Sequence, residues 1–308
     1  MRVFMTGGTG LIGSAVVQAL VDRGDTVVVL SRAMRRGPDG TEFIGGRTTF
    51  EGSWSERLSG CDAVVHLAGE PIGDFSWSDL HERRVVASRV DGTRALVSAL
   101  ATTPSASRPR VLVSASTADR YPFDDDDTRY GEDAPAGDHF FGHLASAWEA
   151  EAERAREHGL RVVTFRHGFV LGHGERAYRQ LGSAHKLLYK GPCGSGEQWL
   201  SWAHLDDVAA AYLHVLDGDL AGPLNLVAPG AIRQGDFARA VSGVLHRDPW
   251  NGISEDLVRR RLGRFADVLL RGRRVVPLAL ERDGFRFRRM DVPAALAAAL
   301  DTSQPRTL

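Results

Sequence analysis

Gly7-Gly8-Thr9-Gly10-Leu11-Ile12-Gly13 is the stretch on which the reading of this chain turns. The short apolar run Val3-Phe4-Met5 precedes it, apolar residues at helical spacing follow over 11–20, and a β-branched run fills 26–30. Strand, glycine turn, helix and second strand in that order make a dinucleotide-binding unit. Gly7 permits the tight turn, Gly10 lets the backbone approach a pyrophosphate, and Gly13 lets the helix lie close to the sheet. The helix N-terminus then offers N–H groups and a partial positive charge to the phosphates, with Thr9, Leu11 and Ile12 beside them.

Outward from the turn, the alternation continues. Residues 63–67, 111–113 and 161–165 read as further apolar strands, and 94–100 and 145–157 as helical segments. Continuous apolar strands separated by helices indicate a parallel sheet covered on both faces. The expected fold is α/β, a doubly wound Rossmann domain over 1–172. Beyond that the alternation weakens. A glycine-rich loop (191–198) precedes a helix (206–216), a strand (223–227) and two more helices (235–245, 262–270). Residues 173–308 are expected to form mainly a smaller substrate-binding lobe, returning in part to the sheet over about 200–230.

Composition excludes several classes. With 308 residues, 43% hydrophobic, and a formal charge of −1, there is no electrostatic case for nucleic acid or an anionic membrane as partner. No Cys/His spacing suggests zinc, no metal site is expected, and Cys61 and Cys193 read as packing residues of a reducing compartment. The acidic run 124–127 reads as a solvated loop. Glycines interrupt the N-terminal apolar stretch, so it lacks the form of a signal peptide, and no window reaches the about 18 apolar residues of a membrane span. A cytoplasmic protein is expected. Lysine occurs only at 186 and 190 among the 38 basic residues, a bias that suits a GC-rich genome such as an actinomycete's.

The end of the second strand selects the cofactor. NAD sites place an acidic residue about 20 residues on, against the ribose 2′-hydroxyl. Here the strand ends Leu30-Ser31-Arg32, with Arg35 and Arg36 close behind. A guanidinium in place of a carboxylate suits a 2′-phosphate, so NADP(H) is expected, held by Ser31 and Arg32.

Further motifs narrow the family. His66-Leu67-Ala68-Gly69-Glu70-Pro71-Ile72, Ser88-Arg89-Val90-Asp91-Gly92-Thr93-Arg94 and Val113-Ser114-Ala115-Ser116 are three of them. Gly194-Ser195-Gly196-Glu197-Gln198-Trp199-Leu200-Ser201-Trp202 and the tail Gly284-Phe285-Arg286-Phe287-Arg288 complete the set. Over nearly its whole length the chain resembles the atypical branch of extended short-chain dehydrogenases labelled epimerase-family, or sugar-nucleotide-epimerase-like, and its tail resembles that branch's C-terminal domain of unknown function. The resemblance implies NADP(H) binding, with Leu67, Ala68 and Gly69 against the adenosine half. It implies Ser114 at the cofactor, and Gly168, Phe169 and Val170 near the nicotinamide.

One family feature is missing. Most short-chain dehydrogenases use Tyr-x-x-x-Lys, whose tyrosine gives a proton to the carbonyl oxygen as hydride arrives. Alignment on 138–149 puts Phe141 at the tyrosine and Ala145 at the lysine, and no Tyr-x-x-x-Lys occurs anywhere in the chain. Ser116 matches the family's catalytic serine. Tyr121 and His143 are the candidate substitute donors, with His139 beside the vacancy. Each also admits a structural role: Ser116 as a strand-end cap, Tyr121 as packing, the histidines as surface groups. A phenol on the substrate itself is a further source of the proton. Dyad-less members of the superfamily include ketoreductases of angucyclinones, such as the one in simocyclinone biosynthesis. The resemblance therefore implies an NADPH-dependent ketoreductase acting on a planar aromatic polyketide in antibiotic biosynthesis. Phe140, Phe141, Trp199 and Trp202, with Phe123, are the candidate walls of the substrate site, or else ordinary core. The alternatives are a non-catalytic NADP(H) sensor and, ranked last, a sugar-nucleotide epimerase.

Arg32→Ala is expected to weaken NADPH binding at least tenfold more than NADH binding, as loss of a charge-assisted bond to the 2′-phosphate requires (about 1.5–3 kcal/mol). Calorimetric titration with both nucleotides measures it; equal losses would remove the 2′-phosphate assignment.

Overall fold

A computed structural model describes residues 1–33, 37–49, 52–72, 77–123, 126–172, 185–246 and 252–300. Arg35, Arg36, Asp124 and residue 125 lie outside them.

Strand β1 (Arg2–Thr6) leads through the glycine turn into helix α1 (Leu11–Asp22), then β2 (Thr26–Ser31), β3 (Thr41–Gly45) and β4 (Ala63–His66). Helix α2 (Asp79–Thr102), strands β5 (Val111–Thr117) and β6 (Arg129–Tyr130), and helix α3 (Phe140–Glu153) follow. Then come β7 (Arg161–His167), β8 (Phe169–Leu171), β9 (Trp199–Leu200), β10 (Trp202–His204), helix α4 (Leu205–Asp217), β11 (Gly222–Leu226) and β12 (Ile232–Arg233). The C-terminal lobe continues with α5 (Gln234–Val244), α6 (Glu255–Leu262), α7 (Ala266–Leu270), β13 (Arg274–Val275), α8 (Leu278–Arg282) and α9 (Val292–Leu300).

Seven strands form one sheet in the order β11-β7-β5-β4-β1-β2-β3, and every pairing in it is parallel. Strand residues alternate between two cores, as the pleat demands. Val3, Met5, Val27, Val29, Val65 and Val113 face α1 and α4, while Phe4, Val28, Val64 and Leu112 face α2 and the end of α3. That is a doubly wound α/β sheet of the Rossmann kind. The chain returns to it at β11, which pairs beside β7 after α4 has packed against α1. A third core gathers Phe237, Val241, Val258, Leu262, Phe265 and Leu269 of the C-terminal helices around Trp202 and Phe141. No helix among the described residues is long and apolar enough to cross a membrane.

The short strands 129–130, 199–200, 232–233 and 274–275 and the helices 255–262, 278–282 and 292–300 add to the sequence reading, and two further elements differ from it. Strand β3 adds an edge beyond β2; its burial is only partial, so its apolar pattern is too weak to read. The single helix expected over 262–270 is broken, because Gly263 adopts φ +52 and the chain turns once before α7 begins.

The glycine turn carries the tightest approach. A Cβ on Gly13 would stand 2.1 Å from the Gly7 carbonyl oxygen, and one on Gly7, at φ +71, would stand 2.5 Å from the Leu67 carbonyl carbon. Gly13→Ala is expected to destabilise the protein by about 1–3 kcal/mol, since only backbone movement relieves the overlap. Urea unfolding measures this; an unchanged midpoint would refute the packing argument.

Candidate active site

Across the C-terminal ends of β1, β4, β5 and β7 opens a cleft of about 380 Å³. Its sheet side is formed by the glycine turn, Leu67, Ser116, Gly168 and Phe169, and its other wall by Leu188, Trp199, Phe265, Leu269 and Arg273 of the second lobe. In open α/β sheets ligands bind where the strand order reverses, here between β1 and β4.

Gly10 is the N-cap of α1 and supplies no side-chain acceptor, so the first turn of the helix keeps its N–H groups for a ligand. Behind the turn, His66 is fully buried between the hydroxyls of Thr6 (2.7 Å) and Thr93 (3.0 Å). Burial drives its pKa down to about 4, with the Arg89 charge adding to the effect, so it is neutral at physiological pH. Thr6 also accepts from the Ala68 N–H (3.2 Å), which fixes the 67–69 segment beside the turn.

Arg32 lies beyond β2, exposed, at the rim of a separate hollow of about 310 Å³. Gly45, Gly46, Arg47, Ser53 and the buried Trp54 line the rest. Ser31 fixes the strand end: its hydroxyl accepts from the Ala33 N–H (3.3 Å) and its carbonyl from the Gly46 N–H (3.0 Å). Two guanidiniums therefore stand at one hollow where the sequence pointed to one.

Ser116 lines the cleft, but its hydroxyl is engaged. It donates to Glu149 Oε1 at 2.7 Å. Arg166, buried on β7, grips that carboxylate with Nε (2.9 Å) and Nη2 (2.8 Å). Burial acts to lower the Arg166 pKa, and the Glu149 carboxylate outweighs it, so the guanidinium stays charged. Nη1 of Arg166 donates to the Tyr121 hydroxyl (2.7 Å), which itself donates to Asn225 Oδ1 (2.7 Å).

That network corrects the expectation for Tyr121. Its side chain is 0% exposed, stacks on Tyr130 and does not line the cleft. Burial pushes its phenol pKa up, and its hydroxyl is saturated by Arg166 and Asn225. His143 is corrected as well. Its side chain is 69% exposed, and it meets Asp138 on the outer side of α3. His139 is the α3 N-cap: Nδ1 accepts from Gly142 N–H and Nε2 donates to the Tyr121 carbonyl, which leaves neither nitrogen for a substrate.

The aromatic expectations divide. Trp199 lines the cleft, with Arg233 at 4.0 Å and Arg274 at 4.8 Å from its ring centre. Phe140 and Phe141 instead pack on Trp77 beside Phe265. Trp202 is fully buried and donates to the Gly230 carbonyl, and Phe123 stacks on His139. Phe140, Phe141 and Trp202 are packing residues because α3 and β10 turn them toward the lobe's core, whereas Phe123 lies between His139 and Arg273. Of the expected cofactor residues, Gly7, Gly10, Leu11, Ile12, Gly13, Leu67, Gly168 and Phe169 share the cleft. Thr9, Ala68 and Gly69 flank it in the chain, whereas Ser114 is interior to β5 and Val170 points into the sheet core.

Several cleft groups escaped the sequence reading. Phe141, Ala145 and Glu149 are spaced four apart on α3, so one step along the Tyr-x-x-x-Lys ladder would have found Glu149. Arg89 and Trp148 line the cleft from α2 and α3. His167 lines it too, with Nδ1 donating to the Ser116 carbonyl and Nε2 accepting from Tyr212, and burial lowers its pKa to about 4.

Comparison with known proteins agrees with this architecture. The NAD dependent epimerase/dehydratase family matches residues 3–226, and a domain of unknown function (DUF1731) matches 257–299. The human epimerase family protein SDR39U1 is 35% identical over 301 residues, 96% of this chain and 98% of that protein. A crystal structure of human SDR39U1 (isoform 2) with NADPH superimposes with a TM-score of 0.84 at 32% identity, covering 98% of this chain and 100% of that one. A nucleoside-diphosphate sugar epimerase from Corynebacterium glutamicum gives a TM-score of 0.76 at 28% identity, over 97% of this chain and 58% of that one. The matched span and the level of identity place this chain in the NAD dependent epimerase/dehydratase family.

Proposed function

We propose that this protein is an NADPH-dependent oxidoreductase that reduces a ketone held at Ser116, the substrate having a flat, largely apolar body. One observation carries the reading: the glycine cradle lines the same cleft as Ser116, whose hydroxyl is held from behind by Glu149 and, through it, Arg166. The residues fit a dinucleotide. The α1 start lacks a capping side chain, and the hollow at Arg32 and Arg47 suits a 2′-phosphate. The NADPH of the human relative's crystal structure supports the same cofactor.

When bound, the nicotinamide supplies the hydride; the chain must orient the carbonyl and move one proton. Of the three residues expected to be catalytic, Ser116, Tyr121 and His143, Ser116 is the one that lines the cleft. Its hydroxyl points at Glu149, so its oxygen is presented to the substrate as an acceptor, and a substrate hydroxyl would donate to it. Run in reverse, the same pair accepts a solvent proton at Glu149, which keeps some exposure, and passes it through Ser116 to the carbonyl oxygen. Such a relay lacks a tyrosine tuned by a lysine, so the rate falls short of a tyrosine-equipped site by part of the about 10²–10⁴ that a general acid is worth.

The substrate class follows from the wall. Ile72, Leu188, Phe265, Val268 and Leu269 line the cleft together with Trp199, an apolar lining that suits a planar aromatic ketone such as an aromatic polyketide. Sugar epimerisation fits less well, since it needs a base strong enough to remove a hydroxyl proton reversibly, and the chain has no Tyr-x-x-x-Lys to supply one.

Incubation with NADPH and a panel of hydroxylated quinone ketones and sugar nucleotides tests the reading through loss of NADPH absorbance. Oxidation by the ketones is expected, with Ser116→Ala lowering kcat about 100-fold and leaving NADPH affinity unchanged. Tight NADPH binding without oxidation by any of them would establish a cofactor sensor instead. Phe141→Tyr is expected to change kcat by no more than about twofold. Its ring lies 2% exposed between Trp77 and Phe265, and no lysine stands at Ala145 to tune a phenol. A large gain in kcat would mean that the new hydroxyl reaches the carbonyl.

A further inference from the structure

One corner of the cleft holds buried donors without acceptors. Arg89 on α2 is 8% exposed and lines the cleft together with the glycine turn and Ser116. Its guanidinium lies against the end of β4: a Cβ on Gly69 would stand 3.1 Å from Cζ. Nη1 donates to the carbonyls of Glu70 (2.9 Å) and Val85 (3.3 Å) and touches the Ser88 hydroxyl (3.4 Å). Nε has no partner, and no carboxylate bonds to the group among the described residues. Beneath it, 5.2 Å from Cζ to ring centre, lies Trp148 of α3. Trp148 is also buried and lines the cleft, and its indole Nε1 has no acceptor either.

Buried donors are almost always paired, and a buried cation without a carboxylate is rarer still. Burial pulls the Arg89 pKa down to about 10, with Glu70 opposing, so the group remains charged at neutral pH. The corner is therefore completed by a ligand that brings oxygen acceptors. Sheet order says which part of the ligand that is. Arg32 follows β2, on one side of β1, while Arg89 abuts the end of β4, on the other side. Trp148 adjoins Glu149, which holds Ser116 on β5. A dinucleotide with its diphosphate on α1 and its 2′-phosphate at Arg32 lays its nicotinamide half over β4 and β5.

We infer that Arg89, braced by Trp148, anchors the nicotinamide-side ribose of NADPH through its hydroxyl oxygens, in place of the lysine that Ala145 has lost. The inference rests on the NADPH reading above and deepens it. Arg89 acts as a positioning residue that holds the nicotinamide ring in register with Ser116.

The test compares two ligands by calorimetry: NADPH, and adenosine 2′,5′-bisphosphate, which lacks the nicotinamide ribose. Arg89→Met is expected to lose about 10- to 100-fold in NADPH affinity and nothing for the bisphosphate. Arg89→Lys should recover part of the loss, and Trp148→Phe, which keeps an aromatic ring and removes only the N–H donor, should lose about tenfold at most. These two variants carry the test should Arg89→Met fail to fold. Unchanged NADPH affinity in variants that bind the bisphosphate normally would overturn the anchor alone. Equal losses for both ligands would overturn it in favour of a purely structural arginine. Wild-type protein that binds neither ligand would overturn the NADPH reading and the anchor with it.

Discussion

The buried ion pair between Glu149 and Arg166 is the constraint around which the Ser116 side of the cleft is arranged. Its side chains are 14% and 3% exposed, so the fork is shielded from solvent. Through it α3 is tied to β7, Ser116 of β5 is held by its hydroxyl, and Tyr121 is held through its phenol, which reaches on to Asn225 of β11. Removing one partner of such a pair leaves an uncompensated buried charge, which costs about 3–5 kcal/mol. The pair orients the groups it touches: the Ser116 hydroxyl donates to Glu149, and the Tyr121 phenol is held between Arg166 and Asn225.

The cofactor half depends on close backbone approach. Gly7 and Gly13 allow α1 to begin directly over the end of β1, and the neutral His66 between two threonines fixes the neighbouring segment without placing a charge there. Arg32 and Arg47 stand at one hollow and Arg89 in the main cleft, which Asp119, Arg271 and Arg273 also line. That cleft is polar along the sheet and apolar along the C-terminal helices. On the function proposed above, a reacting carbonyl would face Ser116 while the substrate body rests on Leu188, Phe265 and Leu269.

Much of this was legible beforehand, and the reasons are local. The glycine turn, the apolar strands at 3–5, 26–30, 63–67 and 161–165 and the return of the chain at 223–227 all rest on short-range periodicity, which the parallel sheet preserves. Strand β3 was missed because an edge strand with partly exposed side chains has little periodic signal. The break at Gly263 was missed because a single glycine inside an apolar run does not reveal its φ.

The sequence by itself determined the doubly wound sheet, the dinucleotide turn, the guanidinium after β2 and the absence of Tyr-x-x-x-Lys, since each depends on neighbours in the chain. Which groups then share the cleft depended on contacts between residues far apart in sequence. Asn225 and Arg166 withdraw Tyr121, the outward face of α3 carries His143 to solvent, and the C-terminal helices bury Phe141 and Trp202. Trp148 and Arg89 reach the cleft, and Glu149 reaches Ser116 behind it, because α2 and α3 pack side by side on one face of the sheet. Hydrogen-bond saturation and burial are properties of the packed molecule, and they decided the chemistry that residue types alone left open.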